Sequence, residues 1–154
     1  IAHNIAFGQP HEDKEAIERA AGVADVYKNI VEFPEGFSTL LGERGINLSG
    51  GQKQRVSIAR AVIGSPRILV FDDCLSAVDT ETEEHILTAL REVMKGKTSV
   101  VIAHRISSVK HADRIIVLDK GVIKEEGTHE SLLAHGGIYA KLYRRQLMEQ
   151  QEAG

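Results

Sequence analysis

Leu48-Ser49-Gly50-Gly51-Gln52 is the stretch whose residue types and spacing point most specifically to chemistry. A serine followed three positions later by glutamine has capping-box spacing, in which both side chains satisfy backbone N–H groups at a helix start. The two glycines between them allow another group to approach the backbone closely. A helix start with bare amides and the positive end of the dipole favours an anion such as phosphate. The plain alternative is an ordinary capped helix behind a glycine-rich loop, because such caps are common. Other candidates fail on spacing. Gly96-Lys97-Thr98 imitates the end of the phosphate-cradling loop G-x-x-x-x-G-K-[ST], but the first glycine would have to stand where Arg91 is. The triplet also leaves a helical stretch and enters an apolar one, the inverse of the strand-to-helix setting that loop needs. His129-Glu130 does not open H-E-x-x-H, because Leu133 takes the second histidine's place. The 7 histidines show no zinc-ligand spacing, and the single cysteine, Cys74, offers no thiolate cluster.

The elements that must position these residues follow from periodicity. Ala16, Ile17, Ala20, Ala21 and Ala24 recur at helical spacing behind Glu12-Asp13. Phe33-Pro34-Glu35-Gly36-Phe37 is a break, and Gly42, Gly45, Gly50 and Gly51 mark a loop. A helix is expected over about 51–63, ended by Gly64-Ser65-Pro66. Ile68-Leu69-Val70-Phe71 is an unbroken apolar run, which predicts a strand buried on both faces. Thr80 and Glu83 have capping-box spacing ahead of a helix whose stripe is Ile86, Leu87, Leu90, Val93 and Met94. Val100-Val101-Ile102-Ala103 predicts a second buried strand and residues 114–118 a third. Asp119-Lys120-Gly121 is a turn after which Val122-Ile123 can pair back as a hairpin. Helices are expected around 131–134 and 139–147, with a disordered polar tail over 150–154. Strands alternating with helices predict an α/β fold with a parallel sheet. The expected division is a helical lobe, 1–66, followed by a sheet-containing part, 67–154.

Composition narrows the function classes. The 154 residues suit one domain, and 19 basic against 22 acidic residues give a net charge of −3. That balance argues against a broad nucleic-acid surface, so no nucleic-acid partner is expected. It leaves phosphate ligands open, since backbone amides bind them without net charge. One cysteine excludes an intrachain disulfide and fits a reducing compartment. No apolar run reaches the roughly 18 residues a membrane-spanning helix needs. The opening residues have no basic region typical of a signal peptide, and the sequence begins at Ile1. Overall composition is that of an ordinary soluble globular domain.

Leu48 to Gln52, continued by Lys53-Gln54-Arg55, resembles the signature motif of ATP-binding-cassette (ABC) ATPases. Three further stretches follow in that family's order. Ile68-Leu69-Val70-Phe71-Asp72-Asp73 resembles a Walker B strand, Ser76-Ala77-Val78-Asp79 a D-loop, and His104 a switch histidine. Thr39-Leu40-Leu41-Gly42-Glu43-Arg44-Gly45 is similar to the X-loop of ABC exporters. The run from Gly127 to Leu133 and Gly137-Ile138-Tyr139 are similar to exporter nucleotide-binding domains, and the opening residues to the segment just after the Q-loop. The resemblance covers essentially the whole chain. It implies a partial P-loop NTPase fold: a helical signature lobe, then half of a parallel-sheet core.

The resemblance also implies roles. Ser49, Gly50, Gly51 and Gln52 would complete the nucleotide site of a second nucleotide-binding domain, in a homo- or heterodimer. Asp72 would hold Mg²⁺, usually through water, because Mg²⁺ keeps much of its hydration; the alternative is a strand-end cap. His104 would sense the γ-phosphate of ATP. Ser76 and Asp79 would form the D-loop, with Asp79 crossing the dimer interface or, on the plainer reading, starting a helix beside Thr80. Glu43 and Arg44 would contact a transmembrane domain or, equally, form a solvated loop pair. ATP and Mg²⁺ are the implied cofactors, and the location is the cytoplasmic face of the cell membrane, within a membrane protein.

Two departures from the family stand out. No Walker A loop is present in this sequence, so the chain reads as the C-terminal portion of such a domain, inactive alone, from a transport ATPase. Asp73 stands where the family usually has Glu, the proposed general base. One methylene less shortens a reach that must bring the carboxylate within about 2.6–3.2 Å of its proton. This suggests the degenerate half-site of a heterodimeric, multidrug-type exporter. The alternatives are a catalytically incompetent piece or interaction module, and a non-transport ABC ATPase.

Overall fold

The computed structural model describes residues 1–42 and 47–152. Glu43 and Arg44, the expected coupling pair, lie outside the described residues. The chain divides into two compact units, Ile1–Val100 and Val101–Gly154.

In the first unit, α1 (Ala2–Ile5), α2 (Lys14–Val23), α3 (Tyr27–Val31) and a 3-10 turn (Gly36–Ser38) precede the long helix α4 (Gly50–Ile63). Helix α2 starts where the Asp13 carboxylate accepts from the N–H groups of Glu15 and Ala16. It buries Ile17, Ala20 and Ala21 and packs on α4, which buries Val56, Ile58, Ala59 and Val62. Alanines on both helices leave no bulk between the axes, and Ala21, Ala24 and Ala59 are fully buried. Two arginines on α4 reach outward to the rest of the lobe. Arg60 Nε donates to the Asn4 carbonyl at 2.7 Å, with its guanidinium 5.9 Å from the Phe7 ring centroid. Arg55 donates to the carbonyl of Asp25, which turns the chain with a left-handed backbone (φ 51°).

Strand β1 (Ile68–Asp72), helix α5 (Thr80–Met94) and strand β2 (Thr98–Ile102) follow, with β1 and β2 paired. The Thr98 N–H donates to the carbonyl of Arg67 at 3.1 Å, so both strands start at the same end and run parallel, with α5 as the crossover. The sequence predicts strands buried on both faces, and here the structure differs. Leu69 and Phe71 are buried, whereas Ile68 and Val70 are 66% and 61% exposed. Val100 and Ile102 are likewise half exposed. Alternate side chains of a strand point to opposite faces, and within this chain only one face of β1 is covered. The start of α5 is also corrected: the cap is Asp79, whose carboxylate accepts from Thr82 N–H at 2.9 Å, rather than a Thr80–Glu83 box.

The second unit holds α6 (Ile106–Val109), β3 (Ile115–Asp119), β4 (Val122–Gly127), α7 (His129–His135) and α8 (Ile138–Glu152). β3 and β4 form the expected antiparallel hairpin, with Leu118 opposite Ile123 and Asp119 opposite Val122. Its turn, Lys120-Gly121, has φ of 50° and 75°, the double left-handed conformation that matches strand twist. Ile106, Ile115, Leu132 and Tyr139 make the core. Thr128 and Ser131 cap α7, and Gly136 ends it in the left-handed conformation (φ 71°). Helix α8 continues through Glu152 instead of ending near 147, so the first part of the expected disordered tail is helical. Its Glu and Gln residues are good helix formers, and Arg145 pairs with Glu149 one turn on at 3.7 Å.

Candidate functional site

The start of α4 is built as the sequence predicts. Ser49 is the N-cap; its Oγ accepts from Gln52 N–H at 3.2 Å, and Gln52 Oε1 accepts from Ser49 N–H at 3.0 Å. Ser49 Oγ acts as acceptor in that bond, which leaves its hydroxyl proton to be donated outward. Gln52 is thereby committed to the cap. Gly50 and Gly51 form the first turn of the helix, at its positive end.

The two glycines are not equivalent. A Cβ on Gly51 would lie 2.7 Å from the carbonyl oxygen of Ala77, so only glycine lets the turn after β1 sit against the helix. A Cβ on Gly50 would meet only the Ala77 Cβ at 3.7 Å, an ordinary contact. Packing therefore demands glycine at 51 and does not demand it at 50.

Strand β1 delivers two carboxylates to the same region. Asp72 ends the strand and is exposed; Asp73 follows with a left-handed backbone (φ 47°), which Asp tolerates better than most residues. Ser76 Oγ donates to the Asp73 carbonyl at 3.1 Å and closes the turn. Gln54 holds this turn from α4. Its Nε2 donates to Ser76 Oγ at 2.9 Å and more weakly to the Asp73 carbonyl at 3.4 Å, while its Oε1 accepts from Ala77 N–H at 2.9 Å. Asp79 then caps α5, and the N–H and hydroxyl of Thr82 hold its carboxyl below the usual carboxylate range. Burial pushes the Cys74 thiol up to about 11, so it stays protonated and unreactive near neutrality. The structure thus sets Gly50 and Gly51 of the capped turn against Ala77 and ties Ser76 to α4 through Gln54, beside the strand end that carries Asp72 and Asp73.

His104 belongs to the second unit and is exposed in the turn between β2 and α6. Gln146 of α8 brackets that turn: its Nε2 donates to the His104 carbonyl and its Oε1 accepts from Ile106 N–H, both at 2.8 Å. Nearby in sequence to α8's start, the Glu125 carboxylate accepts from the N–H groups of Ile138 and Tyr139. The Tyr139 bond is the main cause that lowers its pKa below the usual value. A side chain at Gly137 would run into that carboxylate.

Sequence reasoning named Gln54 only as part of the signature resemblance, with no role of its own, and passed over Gln146. Gln54 carried a signal: it stands four residues after Gly50 and three after Gly51, on one helix face. Gln146 carried none, because its partners lie 42 and 40 residues away.

The donor chemistry suits a magnesium–nucleotide. Among the described residues no group of three or more His, Cys, Asp or Glu could hold a metal by itself. The exposed Asp72 carboxylate at the strand end, with Asp73 next to it, fits Mg²⁺, which takes one or two carboxylates and draws its other ligands from phosphate and water. Among the described residues no helix is long and apolar enough to cross a membrane.

Comparison with known proteins identifies the family. The family model described as ABC transporter matches residues 5–76. The chain is 53% identical over 143 residues to the ABC transporter ATP-binding protein YknU of Bacillus subtilis, covering 93% of this chain and 24% of that protein. It is 51% identical over 153 residues to the mitochondrial potassium channel ATP-binding subunit of Xenopus tropicalis, covering 99% of this chain and 22% of the other. The ATP-dependent lipid A-core flippase of Chromohalobacter salexigens is 48% identical over 149 residues, with 97% of this chain and 26% of the flippase covered. Among solved structures, a bacterial Atm1-family ABC exporter with ATP bound superposes with a TM-score of 0.90 at 43% identity, covering 95% of this chain and 26% of that one. The chain therefore belongs to the ABC transporters and is part of an ATP-binding domain of the exporter type. It spans about a quarter of the length of the relatives it matches.

Proposed function

We propose that this chain is the signature-to-switch portion of the nucleotide-binding domain of an ABC exporter that uses ATP to drive transport across a membrane. The observation that carries the reading is the capped, glycine-bearing start of α4 set against the turn that leaves Asp72 and Asp73. Residues 1–66 would act as the signature lobe and 67–154 as part of the ATPase core. Bound MgATP would supply the phosphoanhydride whose cleavage powers the cycle.

The chain's own residues then have distinct tasks. The Ser49 hydroxyl and the amides of Gly50 and Gly51 hold a phosphate presented by a second nucleotide-binding domain, and Gln52 keeps that turn in shape. Asp72 would hold Mg²⁺ in this domain's own site, where the ion would offset the charge of the phosphates. Asp73 accepts a proton from the attacking water over a shorter reach than the family's usual glutamate. The His104 imidazole hydrogen-bonds the terminal phosphate. Ser76 and Asp79 face the partner domain, while Glu43 and Arg44 contact a transmembrane domain on the cytoplasmic face of the membrane.

The shorter arm at Asp73 supports a slow half-site completed by a competent partner. In the full-length transporter, Asp73→Glu should raise turnover at that site, because the longer arm brings the base within reach of the attacking water. Unchanged ATPase activity would contradict the half-site reading. The 154-residue chain alone, whose sequence has no Walker A loop, should give no calorimetric signal with millimolar MgATP. One-to-one binding would contradict the assignment of its phosphate contacts to a partner domain.

A further inference from the structure

Resting on the reading above, we propose that Gln54 is a positioning residue that locks the signature turn to the D-loop of the same chain, so that both are presented to the partner domain as one rigid piece. Three observations carry it. First, the Gln54 amide uses both ends on one turn: Nε2 donates to Ser76 Oγ and the Asp73 carbonyl, and Oε1 accepts from Ala77 N–H. Glutamate keeps the acceptor but loses both donors, and asparagine is one methylene too short to reach from the same backbone. Second, Ala77 is held from both directions. Its N–H goes to Gln54, and its carbonyl lies where a Cβ on Gly51 would sit at 2.7 Å. Third, Gln54 stands one helical turn beyond Gly50 and Gly51, so any tilt of the signature turn is transmitted to the D-loop through a rigid helix.

On this account the bond network joins two features that act on the partner domain: Ser49 to Gly51 through the phosphate, and Asp79 across the interface. Loss of the Gln54 amide frees the turn holding Ser76 while leaving the α4 cap, which depends on Ser49 and Gln52, intact. The effect should fall on the chemical step more than on nucleotide capture, because misplacement of catalytic groups lowers kcat without removing binding contacts.

The test uses the full-length transporter, with active sites counted by MgADP binding stoichiometry. Gln54→Ala should lower kcat per site roughly tenfold, with KM for MgATP within about twofold of wild type. Gln54→Glu should recover part of that loss, since it still accepts from Ala77 N–H. Adding Ser76→Ala to Gln54→Ala should cost no more than Gln54→Ala alone, the non-additivity of a shared network. Should Gln54→Ala fail to fold, Gln54→Glu with and without Ser76→Ala carries the same comparison. An unchanged kcat, additive losses, or a loss of folded sites with normal turnover per remaining site would overturn the proposal. Wild-type hydrolysis that Ser49→Arg abolishes, with Gln54 variants unaffected, defeats this inference alone. A wild-type protein whose hydrolysis ignores Ser49→Arg defeats the functional reading and this inference together.

Discussion

The helices of the first unit and the paired strands β1 and β2 meet the same physical demand with opposite success. Helices α1 to α4 close their interior within the chain: Ile5, Ala21, Val26, Ile30 and Ala59 are wholly inaccessible. Strands β1 and β2 are just as apolar, yet Ile68, Val70, Val100 and Ile102 stand open on the sheet. A helix needs one stripe covered, whereas a parallel strand needs both faces covered. The helices around α4 therefore cover their own apolar stripe, while β1, which ends at Asp72, leaves one apolar face open.

That contrast should break first in the helices. Ile58→Ala, at a position 1% exposed, should cost about 2–5 kcal/mol in chemical denaturation, from lost burial and the cavity left behind. Val70→Lys, at 61% exposure, should stay within about 0.5 kcal/mol. The same lysine should reduce self-association of the isolated chain in sedimentation, because open apolar strands invite pairing with another copy. Equal stability losses at the two positions would erase the contrast.

The next effect sharpens it at the boundary between helix and strand. Gly51→Ala must push the Ala77 carbonyl aside and should lower stability by about 1–3 kcal/mol. Gly50→Ala has room and should be neutral or gain up to about 1 kcal/mol from helix propensity. Thermal melts of the two variants decide whether the glycines have separate reasons.

The smallest effect is electrostatic and lies in the second unit. Glu125 has a folded pKa below its ordinary 4.5, so its stabilising bonds to α8 are fully present above that value. They are lost as pH falls through the lower folded value, because the unfolded chain takes up the proton first. Glu125→Gln should flatten the acid side of the stability curve by losing, at pH 7, the small margin that wild type loses only on acidification. A melt-versus-pH series on wild type and variant reads this directly.

What the sequence made legible was local. The Ser49–Gln52 cap, the Lys120-Gly121 hairpin turn and the alanine stripe of α2 each depend on residues within a turn of one another, so spacing alone exposed them. Of the two starts the sequence offers for α5, Asp79 is the cap and the Thr80–Glu83 box is not, because both residue types can cap and only geometry chooses. The burial of β1 was misread because cover on its second face is a tertiary property that the strand's own residues do not encode. Gln54 was legible only in part: its helix face was readable from the glycines, its partners 19 to 23 residues away were not.

The most direct test of the account is the ATPase rate of the full-length transporter carrying Gly50→Ala. Because packing tolerates a Cβ at 50, any loss must come from blocked approach of a phosphate to the start of α4. The account predicts a fall in kcat/KM of roughly 100-fold, comparable to losing a preorganised donor, with a melting temperature no lower than wild type. Wild-type turnover from a normally folded Gly50→Ala protein would contradict it.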